Sequence, residues 1–483
     1  MKVTFAEKFP AIPPLCLTKR GARLFLLLML IALSPALALS AADEKKMDAQ
    51  IAAFVAGKRA LIEKMAKDAG RPVPKLVQDF FASAARAEWQ SATNAAERAL
   101  RFGESGEAES DPVLWQDILR VRQPLMEASG VVELSREMNP RFFKFLGQEI
   151  TKSIPAGSIY FGGSDEGRFL PTLFSESQID GRPFFTITQN QLADGTYLNY
   201  VAEIYGKKIQ IASTEDSQHS FQEYLSDAQR RLEHDRKSPD EPRQIRPGED
   251  IKVVDNRVQV SGVTAVMAIN GLLVKTIFDK NQDREFYIEE SYPIDWMYPH
   301  LTPHQFIFKL NREPLSTMPP QLVLSNRQLW TKQADAWLGP WLRTNTPLAE
   351  VMDFIERVYK QKDLKTFQGD PDFVKDTETQ KALGRMRAAV AGLYAWHAAN
   401  SKVEVDRERM DRETEYAFRQ AVAIGPASPD AVARYARRLA GKGKLADAKR
   451  LVKLATAIDP DEEKLKPLLQ ELNDHPSAKE SNE

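Results

Sequence analysis

The stretch Phe161-Gly162-Gly163-Ser164-Asp165-Glu166-Gly167-Arg168 comes nearest to a site in this 483-residue chain. Glycines let a backbone approach a ligand closely and accept positive φ. A carboxylate such as Asp165 suits a sugar hydroxyl or a cation, and a guanidinium such as Arg168 suits an anion. Gln189 and Asn190 end the next apolar run and would reach the same crevice. The expected ligand-binding set is Gly163, Ser164, Asp165, Arg168 and Asn190. A plainer reading fits the same residues: Gly-Gly-Ser-Asp makes a tight turn, with Ser164 or Asp165 capping the helix that follows. The segment is neither GxGxxG nor a Walker loop, so it implies no nucleotide cofactor.

The other chemistry-bearing residues fall short of a site. His300 and His304 are four apart with Asp295 nearby, a metal pattern on a helix, but Pro299 and Pro303 interrupt the helix. They read as exposed histidines on a turn. His219 lies on a charged helix, and His397 sits beside Trp396 in an apolar one; both read as structural. There is no HExxH and no Gly-x-Ser-x-Gly elbow. Glu289-Glu290 would serve hydrolysis only at a defined separation in space. No catalytic residue and no metal ligand is assigned, and the reading leans away from an enzyme.

The elements that must position the glycine-rich stretch alternate. Gly157–Phe161 and Pro183–Gln189 are short apolar runs bounded by turn residues, hence strands. Lys208–Ala212 is a third candidate, Val258–Val260 a short edge strand, and Glu285–Glu290 and Gln305–Leu310 two more. Helical stretches intervene at Gly167–Ser177, Thr196–Tyr205, Ser217–His234 and Thr264–Phe278, and Asp235–Asp250 is a polar excursion. Strands alternating with helices predict a Rossmann-like α/β domain over 154–315 with a mostly parallel sheet. Ligands then bind beyond the carboxyl ends of the strands, where the glycine-rich stretch falls.

Helices flank this block. In the 43–153 region, Met47, Ile51, Phe54, Val55, Ile62 and Met65 recur at helical spacing, and Gly70-Arg71-Pro72 stops them. Residues 319–380 form a helical connector, with Trp330, Trp337 and Trp341 as core. Toward the C-terminus a 34-residue period is closed by Pro426 and Pro460. Tyr435, Ala436 and Leu439 share one helix, Gly443 turns the chain, and Ala448, Val452 and Ala455 share a second. This resembles a tetratricopeptide (TPR) repeat, in which small residues let paired helices approach closely. The pair Lys381–Ala399 and Arg412–Gly425 is an earlier repeat, with a charged insertion at Asn400–Asp411. Asp461–Leu472 would cap the array over 381–472, leaving 473–483 as a disordered tail. The fold class is thus α/β plus all-α.

Lys19, Arg20 and Arg23 precede the apolar run Leu24–Leu39, and small residues follow it. Residues 1–40 read as a secretory signal, with a periplasmic or secreted product. Retained, the same segment would tether the chain to the inner membrane. Cys16, the one cysteine, precedes the run, so the exported part has no disulfide. A hydrophobic content of 43% and charged content of 28% are ordinary for a globular chain, and a formal net charge of −1 gives no field for nucleic acid.

The stretch from Ile154 through Pro314 resembles the soluble extracytoplasmic region of protein O-mannosyltransferase-like bacterial membrane proteins. The likeness rests on Ile159–Phe161, Gly163–Asp165, Phe185–Thr188 and Asn190, then Thr264–Phe278 and the Trp296–Pro299 step. Exported TPR proteins of unknown function are similar in joining such a block to a repeat like that at Tyr394-Ala395-Trp396. The multi-pass transferase part of the membrane class is missing here. The resemblance therefore implies an accessory or binding role and names no catalytic position. The expectation is an exported scaffold that binds a protein partner through its C-terminal repeats. The alternative is a carbohydrate-related enzyme or accessory protein with a small polar or sugar ligand at the ends of the first two strands.

Overall fold

The computed structural model describes residues 41–103, 110–176, 184–206, 208–246, 248–254, 257–292 and 294–474. The signal segment and most of the tail fall outside the described residues. Five helices open the chain: α1 (Ala41–Asp68), α2 (Lys75–Ala85), α3 (Trp89–Leu100), α4 (Pro112–Glu137) and α5 (Pro140–Ser153). The predicted α1 stripe is buried from Met47 to Met65. Gly70, at φ 64°, takes the left-handed conformation where α1 stops. Asp111 and Asn139 cap α4 and α5 through their side chains, each with proline at the first turn.

The central segment holds β1 (Ile159–Gly162), α6 (Asp165–Glu176), β2 (Phe185–Thr188), α7 (Gly195–Tyr205), α8 (Thr214–Lys237), β3 (Asp250–Val254), β4 (Arg257–Ser261), α9 (Val263–Lys280), β5 (Phe286–Ile288), β6 (Leu301–His304) and β7 (Ile307–Leu310). Five strands form one sheet in the order β2-β1-β5-β7-β6. β1 pairs with β2 and β5 in parallel, whereas β7 pairs with β5 and β6 antiparallel. The sheet is mixed rather than mostly parallel. The cause is local: β6 returns as β7 through a hairpin turn at Gln305, whose φ is 52°, with no helical crossover. β1 is central, and Ile159, Tyr160 and Phe161 are wholly buried.

Two predicted strands and one predicted loop need correction. Lys208–Ala212 is not a strand, because the Asn281 side chain takes both hydrogen bonds of Gln210. Val258–Val260 does extend, but within β4, which pairs only with β3 in a separate two-stranded sheet. The Asp235–Asp250 excursion is pinned: Glu249 takes Arg231 at 2.6 Å and the Tyr224 hydroxyl.

From Pro320 the chain is helical: α10 (Pro320–Leu338), α11 (Leu348–Ile355), α12 (Pro371–Lys375), α13 (Thr377–Asn400), α14 (Glu404–Ile424), α15 (Pro429–Gly441), α16 (Leu445–Ile458) and α17 (Leu465–Asp474). The charged insertion predicted at Asn400–Asp411 is mostly helix; only three residues separate α13 from α14. These helices form consecutive hairpins, α13 on α14 and α15 on α16, and α17 packs at the end. Glycine allows the first crossing. A Cβ at Gly384 would lie 3.0 Å from Gly425 Cα and 3.1 Å from the Ala421 carbonyl oxygen, and one at Gly425 would overlap the Gln380 carbonyl. No described helix is long and apolar enough to cross a membrane.

Gly384→Val is expected to force α13 and α14 apart and destabilise the fold by about 1–3 kcal/mol, the usual effect of overpacking. Urea unfolding followed by circular dichroism measures it.

Candidate functional site

β1, β2 and β5 run parallel, so their carboxyl ends share one edge of the sheet. From β1 the chain goes to β2 on one side and later to β5 on the other. β1 is therefore a switch point, where an open α/β sheet forms a crevice. Three segments leave this edge: Gly163-Ser164 after β1, Gln189–Gln191 after β2, and Glu289–Ser291 after β5.

Glu289 organises them. It is 1% exposed, and its Oε2 accepts from the backbone N–H of Gly163 at 3.1 Å and of Ser164 at 2.9 Å. An α-helix N-terminus favours an anion, and here the protein supplies its own. This explains the glycines. A Cβ at Gly167 would overlap the Glu289 carboxylate, and one at Gly163 would overlap Ser291. Ser164 caps α6, its Oγ accepting from the Gly167 N–H at 3.0 Å. The Tyr160 hydroxyl donates to the Gly167 carbonyl at 2.6 Å, and burial together with Glu289 pushes the phenol pKa well up.

The C-terminal helices close the edge. Arg385 on α13 donates to Ser164 Oγ at 2.6 Å and Glu166 Oε2 at 2.8 Å, and its Nε stands 3.4 Å from Glu289 Oε1. Burial opposes the Glu166 carboxylate, but Arg385 outweighs it and holds the pKa below the usual range. Burial likewise opposes the Arg385 charge, and Glu166 and Glu289 outweigh it in turn. One residue on, Glu290 accepts from Arg434 of α15 at 2.6 Å and from the Tyr298 hydroxyl at 3.3 Å. Trp396 of α13 stacks on Tyr298 with ring centroids 6.0 Å apart. The face of α13 and α15 that meets the sheet is thus taken by the chain's own carboxylates and aromatics.

A polar pocket of about 550 Å³ lies beside this clamp. Gly163, Ser164, Asp165, Arg168 and Asn190 all line it, so the five residues picked from sequence do come together. Their roles differ from a simple ligand set. The N–H groups of Gly163 and Ser164 are spent on Glu289. Asn190 donates to the Gly163 carbonyl at 2.6 Å, tying the β2 exit to the β1 exit. Arg168 pairs with Asp165 at 2.7 Å and lies over the Phe169 ring. Asp165 itself is 64% exposed. The far wall comes from Lys381 and Arg385 of α13, Asp430 of α15 and Lys464 just before α17.

Sequence reading missed Arg385, Lys381 and Asp430. The available signal was a cation inside the apolar run Leu383–Val390, since a buried guanidinium must find a partner. Glu289 and Glu290, adjacent acids in the sequence, do not act as a pair but diverge to Arg385 and Arg434. His300 and His304 are half-buried rather than exposed; His300 Nδ1 pairs with the Asn311 carbonyl and His304 Nε2 with the Ser153 carbonyl. Asp295 lines a different cavity. Among the described residues no three His, Cys, Asp or Glu side chains gather as a metal set. His219 stays on α8, and His397 is buried in α13.

The chain matches no family model, no curated protein and no solved structure.

Removing one partner of a buried, hydrogen-bonded ion pair strands the other. Arg385→Leu is therefore expected to cost about 3–5 kcal/mol in urea unfolding. Two acid windows should also separate. Burial, aided by Arg409, pushes the His397 pKa down to about 4. A depressed folded-state pKa gives stability that is present above the unfolded value and lost as pH falls. His397 should therefore erode stability from about pH 6.5 toward 4, on the order of 1 kcal/mol per pH unit. The Glu166–Arg385 contribution should be lost only below the ordinary glutamate range. Unfolding curves from pH 7 to 3 check this: His397→Gln should flatten the upper window and Glu166→Gln the lower.

Proposed function

We propose that this chain is an exported, non-catalytic binding protein whose polar pocket takes a small neutral polyhydroxy ligand of the sugar type. The observation that carries the reading is the pocket itself. Residues leaving three parallel strands meet residues of the C-terminal helices around one volume, at the edge where α/β sheets bind ligands. Its lining holds five carboxylates and four cations, and much of that charge is already paired internally. A nearly balanced, self-paired lining offers many donors and acceptors without a net field. It therefore favours a neutral hydroxyl-rich molecule over an ion. The resemblance of the central block to extracytoplasmic regions of mannosyltransferase-like proteins agrees with this ligand class. The basic, apolar and small-residue run at residues 1–40 supports a periplasmic or secreted location. The helix–strand alternation about β1 supports a Rossmann-like reading of the sheet, and the hairpin succession α13–α16 supports a TPR-like one.

A second reading, a scaffold for a protein partner, is favoured by one observation. A mainly basic groove of about 500 Å³ lies where α16 meets the π-helical turn Glu356–Lys360 that continues α11, lined by Lys449 and Lys453 together with Arg450, paired to Asp353, and Lys360, paired to Glu356. It suits an acidic segment of a partner.

Calorimetry against a panel of mono- and disaccharides tests the first reading. Asp165→Asn with Asp430→Asn is expected to weaken the best sugar about tenfold, as loss of charge-assisted hydrogen bonds does, while leaving the melting temperature unchanged. No sugar binding, or binding indifferent to the double variant, overturns it. Loss of partner capture in Lys449→Glu with Lys453→Glu would favour the second reading.

A further inference from the structure

A second cavity, of about 620 Å³, is lined in part by α9 and shares no lining residue with the sheet edge's polar pocket. Its volume falls within the range of small-molecule sites, roughly 300–1,000 Å³. Its walls are apolar and aromatic: Met267, Ala268 and Leu272 of α9, with Tyr292, Ile294 and Trp296 from the segment joining β5 to β6. The two aromatic side chains are fixed by their polar tips. The Tyr292 hydroxyl donates to the Met267 carbonyl at 3.0 Å, and the Trp296 indole N–H donates to the Gly271 carbonyl at 3.0 Å. Held that way, they present pre-formed aromatic surface rather than a collapsed gap.

The charged groups around this cavity are unbalanced. Three carboxylates, Glu223, Asp227 and Asp295, face one guanidinium, Arg246. Asp227 is committed to Arg230 and Arg231. Glu223 and Asp295 form no ion pair with any described residue. Trp296 already takes one ammonium, with Lys275 Nζ 5.9 Å from its ring centroid. The surface at this place is also unusually apolar. Half of the eight large apolar side chains exposed among the described residues, Phe221, Val253, Val263 and Val266, lie on α8, α9 and the β3–β4 hairpin. Val263, 71% exposed, is itself part of the lining. Grouped exposed apolar surface beside a pre-formed cavity marks a binding site rather than ordinary surface.

We propose that this cavity binds a small amphipathic amine: an apolar alkyl or aryl body against Met267, Leu272, Tyr292 and Trp296, with a cationic head at Glu223 and Asp295. An anionic amphiphile of the same shape meets the surplus carboxylates and is disfavoured. A neutral one fits the walls but gains nothing at the rim.

Isothermal titration of the full chain with decylammonium, decanol and decanoate, each below its micelle-forming concentration, tests this. One decylammonium per chain should bind about tenfold more tightly than decanol, with decanoate weakest. Glu223→Gln with Asp295→Asn alters two exposed side chains and should bring ammonium and alcohol to within about twofold of each other. Ala268→Trp, filling the cavity, should abolish the site for all three. Equal affinity for the three head groups, no binding of any, or an unchanged preference in the charge variant overturns the proposal. The charge variant decides it even where Ala268→Trp fails to fold.

Discussion

Two neighbouring carboxylates at the end of one short strand tie the sheet to the C-terminal helices. Glu289 and Glu290 follow β5, and each takes an arginine from the C-terminal helices, Arg385 from α13 and Arg434 from α15. Successive residues of an extended chain point to opposite sides. The pair therefore grips two helices at once, and the sheet edge cannot shift against one without straining the other. Both carboxylates are almost wholly buried, where an unpaired charge is costly. Such an arrangement adds little net stability over apolar packing, but breaking either pair strands its partner charge in the interior. It fixes where the helical array sits on the sheet.

The glycine-rich turn follows from that constraint. Glu289 must reach the N-terminus of α6 to satisfy the N–H groups of Gly163 and Ser164. It passes so close that Gly167 has no room for a Cβ. What reads in sequence as backbone opened for a ligand is backbone opened for a side chain 126 residues away in the chain. The anion site of the helix is filled from within, which directs any ligand to the neighbouring side chains of Asp165, Arg385, Lys381 and Asp430.

Much of this was legible in sequence, for reasons that differ by region. The stripe of α1 and the small-residue hairpin of α15 and α16 are local periodicities, and the fold keeps them. The crevice could be placed because strand–turn–helix punctuation at Phe161–Arg168 is also local. Strand polarity was not legible, since it depends on a hairpin of four-residue strands whose turn residue, Gln305, is not a usual positive-φ residue. Nor was the fate of Lys208–Ala212, whose backbone is claimed by Asn281, far along the chain. Arg385 and Arg387 are the sharpest case. Two residues apart on one apolar helix, they look alike in sequence. Arg385 finds carboxylates, whereas Arg387 donates to the amide oxygens of Gln420 and Asn326 and lies over the Trp330 ring. Partners across the fold decide that difference, and no window of sequence contains them.

The helical hairpins themselves bear on what the chain can bind. Stacked helical hairpins offer a groove to a partner only where nothing of their own chain fills it. Here the sheet edge already occupies one face of α13 and α15 with two ion pairs and the Trp396–Tyr298 stack, while α10 and α11 pack against α14. The array serves first as a lid on its own α/β layer. Open space is left at the seams: a polar pocket where these helices meet the sheet edge, and a groove where α16 meets the connector. A lid held by buried charges cannot slide to admit a large guest without breaking Arg385 from Glu166 and Glu289 together. The polar pocket at that seam, about 550 Å³, is therefore of small-molecule size.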